Sequence, residues 1–196
     1  MRSLPLLTGS IFYDLLQHGW EIESAVARHD TSLLKHSTPE LERYFTCPAG
    51  EFPRQSALPV ATLFPLFLVA FAFNLLPFLH NLQVLSPSLH ALSFFAPSLV
   101  MIVALMTASV LLARGFTAGL AGFLTLFIIL LVLTVLQGLY QLLAEGRGWT
   151  LSIAVVALLG CRMVFNSRGF VLFVIYCRTQ RLATLARKMR LKSREE

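Results

Sequence analysis

The sequence predicts an all-α integral membrane protein: a four-helix transmembrane bundle with an N-terminal cytoplasmic helical segment and a C-terminal basic amphipathic helix. Three observations support this. Hydrophobic residues fill 56% of the 196 positions and charged residues only 13%, whereas a soluble domain needs far more polar surface. The apolar residues are gathered into long runs, each exceeding the roughly 20 residues that cross a bilayer. The net charge of +6 is concentrated at the C-terminal end.

Residues 1–57 form a polar segment with five basic and seven acidic side chains, predicted not to cross the membrane. Between residues 10 and 29 apolar side chains recur at three- and four-residue spacing, which predicts a helix with one apolar face. Its mixed charge favours docking under the bundle over lying on the lipid surface. Gly19 counts against a single continuous helix. A second short helix is predicted over residues 38–45, followed by a linker.

Residues 58–177 contain the predicted bundle. Its four spans cover about residues 58–80, 89–113, 116–144 and 149–166, the last with a bend and a continuation to 177. Pro65, Pro77 and Pro97 are expected to kink their helices and to free backbone carbonyls within them.

Three glycines mark one face of the third span. Gly115, Gly119 and Gly122 are small enough to let another helix approach closely. We interpret this face as packing within the bundle, with contact to a second chain as the alternative.

Two arginines interrupt the fourth apolar run. Residues 149–160 give only about 18 Å of helix, but extension to Asn166 gives about 27 Å, close to the ~30 Å hydrocarbon layer. This favours a bend after Asn166, with Arg162 and Arg168 near the interface. The alternative is a helix continuous to Cys177 with both arginines deep, at roughly 2.5–3.5 kcal/mol for each centred arginine.

Arg162 is expected to be the deeper arginine and a structural anchor. It shares a helical face with Asn166 and Gly169, and we expect this face to meet other helices or the bent backbone. Arg168 is expected beside the bend, nearer to lipid headgroups. These polar residues are also the candidate ligand-handling positions if the protein binds an anion.

The segment 178–196 carries seven basic and two acidic side chains. Leu182, Leu185, Ala186 and Met189 follow helical spacing, so an amphipathic helix is predicted. It is expected to lie on an anionic inner leaflet, with a plain solvated tail as the alternative. The predicted lipid-surface residues are Arg178, Arg181, Arg187, Lys188, Arg190 and Lys192.

The basic tail also predicts orientation. Basic residues near span ends favour the cytoplasmic side, so both termini and Arg114 are expected there. The uncharged loop 81–88 is then expected outside. A bacterial cytoplasmic (inner) membrane is the predicted location. No nucleic-acid partner is expected, because no aromatic or helix-turn-helix pattern accompanies the charge.

The distribution of carboxylates argues against enzymes and proton-coupled transporters. Between Phe52 and Arg194 the one acidic residue is Glu145, in a predicted turn, so paired-carboxylate catalysis and oxygen-rich metal sites are not expected. His80 and His90 flank a loop, where interfacial placement is expected over haem or metal ligation. No cofactor is predicted.

The remaining function classes are a packing protein and a small channel. In size and span count the chain is similar to immunity proteins against pore-forming bacteriocins, a resemblance of architecture without a shared motif. The predicted function is therefore a non-enzymatic accessory, assembly, immunity or exclusion protein that packs against a membrane partner or a second copy of itself. The alternative is a channel or transporter subunit handling an anion through Arg162 and Arg168.

Overall fold

A computed structural model describes residues 8–28, 58–81, 86–143 and 149–195. The helix predicted over residues 38–45, the linker after it, and the side chains of His80, His90 and Lys192 lie outside the described part. The described residues form six helices and no strand. In chain order the helices are α1 (Ser10–Ala27), α2 (Leu58–Asn81), α3 (Pro87–Ala113), α4 (Thr117–Leu143), α5 (Trp149–Phe165) and α6 (Arg168–Glu195).

Three helices, α2, α3 and α4, are each long and apolar enough to cross a membrane. Helices α5 and α6 meet the same criterion together, as one span bent by 54° at the break between them. The described residues therefore form a helical bundle with three or four helices suited to crossing a membrane. We call the end that holds α1 and the α5–α6 bend the α1 end, and the opposite one the far end.

The tight turn between α3 and α4 depends on Gly115. This residue has a φ of 75°, a conformation that glycine adopts without steric cost. The N–H of Phe116 donates to the carbonyl of Leu111, and the N–H of Gly115 donates to that of Leu112. These two bonds form a Schellman motif, which satisfies the last carbonyls of α3 and stops the helix.

The bend between α5 and α6 lies at Asn166 and Ser167, as the span-length argument predicts. The Ser167 hydroxyl accepts a hydrogen bond from the Phe170 N–H at 3.3 Å, in the manner of a helix N-cap. Helix α6 then runs without interruption to Glu195. The boundary predicted at residue 178 between bundle and tail therefore falls inside one helix.

The core is centred on Phe165, the last residue of α5. Its ring lies 4.5–6.5 Å, between centroids, from five other rings, contributed by α1, α2, α4 and α6. The rings are Phe12, Phe67, Phe123, Phe127 and Phe170. The most extensive helix contacts are those of α2 with α5 and of α3 with α4.

Helix α1 packs against the bundle, because its apolar face is covered. Phe12, Leu15 and Leu16 are buried, whereas Ile11 and Trp20 on the same helix are largely exposed. The helix is continuous through Gly19. The sequence therefore predicts this helix and its extent, but the interruption considered at Gly19 does not occur.

Candidate functional site

A groove of about 630 Å³ opens near the far end of the described structure, between α2, α3 and α4. The groove exists because the first part of α3 does not pack into the core. Among the described residues of α3, Met101 is the first that is buried. We call this opening the lateral groove. It is lined by Phe71, Asn74, Leu75, Pro77, Phe78, Pro97, Leu133, Leu136, Gln137 and Tyr140, none of them charged.

The floor of the lateral groove is polar. Asn74 and Thr134 are each only 4% exposed. Asn74 Nδ2 donates to Thr134 Oγ1 at 2.9 Å and to the Ala70 carbonyl at 2.7 Å. The bond to Thr134 links α2 to α4 inside an otherwise apolar region, where polar pairs hold membrane helices together.

Gln137 leaves one strong acceptor unused. Its Nε2 donates to the backbone carbonyl of Asn74, three residues before Pro77, in a turn where the proline ring disturbs the helix ladder. Its Oε1 is buried and has no hydrogen-bond partner among the described residues. A buried amide oxygen without a donor costs about 1–3 kcal/mol. This oxygen is enclosed by the described residues around it, so its cost falls on the fold.

A second polar site lies at the α1 end and joins α1 to α4 and α6. Glu23 Oε1 accepts from the backbone N–H of Thr117 at 2.8 Å and from Arg181 Nη1 at 3.2 Å. The carboxylate thus satisfies a free N–H at the start of α4 and complements its helix dipole. Arg181 also donates to the Gly115 carbonyl and lies 3.7 Å from the centroid of the Phe116 ring.

Arg178 is buried beneath α1, with 6% of its surface exposed. Its Nη1 donates to the Leu15 carbonyl at 2.8 Å. A Cβ on Gly19 would lie 2.3 Å from Nη2 of this arginine. The glycine that weakened the helix prediction is therefore the residue that gives the guanidinium its space.

The predicted anchor Arg162 does not lie on the packing face of α5. That face consists of the buried residues Thr150, Ala154, Ala157, Leu158, Cys161 and Phe165. Arg162 is exposed, because one residue beyond Cys161 turns its side chain about 100° around the helix. Arg162 is thus exposed and lies beside the packing face, whereas its face was expected to meet other helices or the bent backbone.

The two residues expected to share that face do make contacts. Asn166 Nδ2 donates to the carbonyls of Thr8 and Arg162, at 2.7 and 2.8 Å. A Cβ on Gly169 would lie 3.0 Å from Pro59 Cγ. Arg168 is exposed beside the bend. The structure thus brings Asn166 and Gly169 against other segments and leaves both arginines on the outside.

The predicted lipid-surface set is wrong for two of its members. Arg178 and Arg181 face α1 and the α3–α4 turn, because α6 continues the packing face of the bundle through Ala183 and Ala186. Arg187 and Lys188 are exposed and Arg190 is half-buried. The side chain of Lys192 lies outside the described part.

The glycine face of α4 packs within the chain. A Cβ on Gly119 would lie 2.3 Å from the Leu112 nitrogen, and one on Gly122 would lie 3.2 Å from Ala108 Cβ. Helices α3 and α4 therefore approach closely at these glycines. Gly115 instead faces the carbonyl of Cys177, which a Cβ would approach to 2.5 Å.

Neither the floor of the lateral groove nor the role of Glu23 is among the features predicted from the sequence. A signal for the floor was present: Asn74, Thr134 and Gln137 are uncharged polar residues within apolar spans, and such residues commonly face neighbouring helices. Glu23 carried no comparable signal, because it stands among other charges on a polar segment.

Comparisons with known proteins yield no relative. No protein-family model matches the chain, and no curated protein or solved structure matches it at a significant level.

Proposed function

We propose that this protein is non-enzymatic and acts by packing its bundle against another membrane-embedded segment, as an accessory or assembly subunit or as an immunity- or exclusion-type protein. The observation that supports this is the lateral groove, with its apolar walls and a lining free of charge. The groove is the proposed docking site for a transmembrane helix.

The dimensions of the groove suit a helix ridge. Its lining on α4 runs from Leu133 to Tyr140, about 10 Å or two helical turns. Side chains spaced i, i+3/i+4, i+7 along a docked helix cover the same length. Because lipid tails are as apolar as the groove walls, close packing and hydrogen bonding are the interactions that can favour a helix there.

The proposed setting is a bacterial inner membrane, with both termini in the cytoplasm. The excess of basic residues in 178–196 supports this orientation. In it the α1 end faces the cytoplasm, and the lateral groove lies in the outer half of the bilayer.

An anion channel has less support. Arg162 and Arg168 are both exposed at the bend, and neither lines the lateral groove. Residues that select an anion in a channel are expected to line a pore, as rings of basic side chains do.

Site-specific photo-crosslinking in native membranes tests the proposal. A photoreactive amino acid replaces Leu133 in the groove or, as a control, Val156, which is 68% exposed on α5. We expect the Leu133 probe, and not the Val156 probe, to give a discrete adduct that maps to a transmembrane peptide. Adducts to lipid alone at Leu133 would contradict the proposed function.

A further inference from the structure

We propose that one edge of α1 lies in the headgroup layer of the membrane with Trp20 as its anchor, so that this helix is held by lipid as well as by the bundle. The partner of this edge is a phospholipid surface. The inference rests on the proposed crossing of the bilayer by the bundle and is independent of what occupies the lateral groove. It is based on the depth of α1 and on the way its side chains divide around the helix.

Helix α1 contacts the bundle where the apolar helices end. The carbonyl of Thr8, just before α1, accepts a hydrogen bond from Asn166, directly after α5. Gly169, three residues further on, packs on the start of α2. Near the other end of α1, Glu23 accepts from the N–H of Thr117, the first residue of the apolar stretch of α4. Helix α1 therefore lies across the bundle at the level where hydrocarbon gives way to water.

An aromatic edge runs along one side of α1. Tyr13 and Trp20 are seven residues apart, so they differ by only about 20° around the helix and lie about 10 Å apart along it. This edge is turned by roughly 100° from the middle of the face that α1 buries against the bundle. Because α1 lies across the end of the bundle, an edge in this direction points sideways, along the membrane boundary.

The charges of α1 are kept away from the aromatic edge. Asp14 and Glu21 each follow one of the two aromatic residues in the sequence, so each is turned about 100° further away from the bundle. Both acidic residues are exposed. The aromatic edge itself continues through Ser24 and Ala27 and carries no charge among its described residues. The side facing lipid is therefore uncharged, and the carboxylates point to water.

Trp20 has the chemistry that a headgroup layer favours. It is 57% exposed, and its indole combines a large apolar ring with one N–H donor. Tryptophan and tyrosine are enriched where membrane spans meet water, because the ring contacts the acyl chains while the polar group stays hydrated or bonded to headgroups. Trp149, at the start of α5, is also 57% exposed. One exposed tryptophan thus lies at each end of the bundle.

Depth-dependent quenching of tryptophan fluorescence, with the full chain in phosphatidylcholine nanodiscs, tests the inference. Trp149→Phe leaves Trp20 as the single tryptophan of the chain. We expect its emission to be quenched strongly by lipid with a nitroxide on the headgroup, weakly by lipid with a nitroxide near the end of an acyl chain, and little by iodide in the buffer. Quenching by iodide without quenching by the headgroup nitroxide would overturn the inference.

The matched control moves the ring by one position. In the Trp149→Phe background, the further changes Trp20→Phe and Glu21→Trp place the indole at the same end of α1 but on the face turned away from the bundle. Iodide should quench this indole strongly, and the headgroup nitroxide should quench it less than it quenches Trp20. Equal quenching at positions 20 and 21 would overturn the division of α1 into a lipid-facing edge and a water-facing side.

Trp20→Phe alone leaves Trp149 as the single tryptophan and separates this inference from the membrane setting on which it rests. Quenching of both tryptophans by nitroxide lipids supports both. Quenching of Trp149 but not of Trp20 overturns the inference and leaves the crossing of the bilayer intact. Absence of lipid quenching at both tryptophans overturns the inference together with the proposed crossing.

Discussion

At the scale of single residues, the aromatic core is the first determinant of this fold. Phe165 is fully buried and contacts rings from four other helices. Because it stands immediately before the bend, the same ring that joins the helices also fixes where the chain changes direction.

Phe165→Ala is therefore expected to destabilise the protein by about 3–5 kcal/mol, the usual range for removing a buried phenylalanine ring. The measurement is the midpoint of denaturant-induced unfolding in mild detergent. Phe95→Ala, at a position 66% exposed, is the control and should change the midpoint little. Equal effects of the two substitutions would contradict the core described above.

Gly19 provides a second test at this scale. Gly19→Ala places a methyl group 2.3 Å from Arg178 Nη2 and 2.6 Å from Thr117 Oγ1, so we expect a loss of about 1–3 kcal/mol from overpacking. Glu-C cleavage at Glu21 and Glu23 should accelerate as α1 undocks. Gly138→Ala, whose Cβ would lie 3.5 Å from Leu151, should leave the cleavage rate unchanged.

At the scale of elements, α1 is an integral part of the bundle, held by polar contacts as well as by its apolar face. Glu23 lies at the centre of these contacts, between the start of α4 and Arg181 of α6. Both charged side chains are partly exposed, so the ion pair by itself is expected to contribute only modestly.

A double-mutant cycle tests this attachment. Glu23→Gln and Arg181→Gln should each destabilise the protein, with a coupling free energy of about 0.5–1 kcal/mol measured by unfolding. Glu21→Gln is the matched control, since its side chain is 66% exposed. A coupling free energy of zero between Glu23 and Arg181 would show that this ion pair does not help to hold α1 on the bundle.

The end of α6 remains the predicted lipid-binding element, now reduced to residues beyond Arg181. Arg187 and Lys188 are exposed, and each basic residue near an anionic surface contributes about 1 kcal/mol. A peptide of residues 178–196 should bind anionic vesicles more tightly than neutral ones, and the Arg187→Gln/Lys188→Gln peptide should lose most of that difference. Equal binding to both vesicle types would contradict the prediction.

The sequence predicts the helices better than it predicts the sites. Long apolar runs ending at Pro, Gly and polar residues locate α2 to α5 within two residues of their observed ends, because these signals are local. The partners of Arg178 and Gln137 are 163 and 63 residues away in the chain. No local pattern specifies such pairs, so burial of Arg178 against the Leu15 carbonyl could not be foreseen.

At the scale of the whole molecule, the proposed function requires that α2, α3, α4 and the bent α5–α6 pair, all suited by length and composition, cross the bilayer. The α1 end, with its docked helix and basic tail, then lies on one side of the membrane. The start of α3 at Ser86 then lies on the other side. Every functional proposal above depends on this arrangement.

Cysteine accessibility in intact cells tests that arrangement most directly. In a cysteine-free background, Ser86→Cys, at the start of α3, should react with a membrane-impermeant thiol reagent added outside. Ser193→Cys, near the end of α6, should react only after the cells are opened. Labelling of Ser193→Cys from outside, or protection of Ser86→Cys in intact cells, would contradict four crossings with both termini in the cytoplasm.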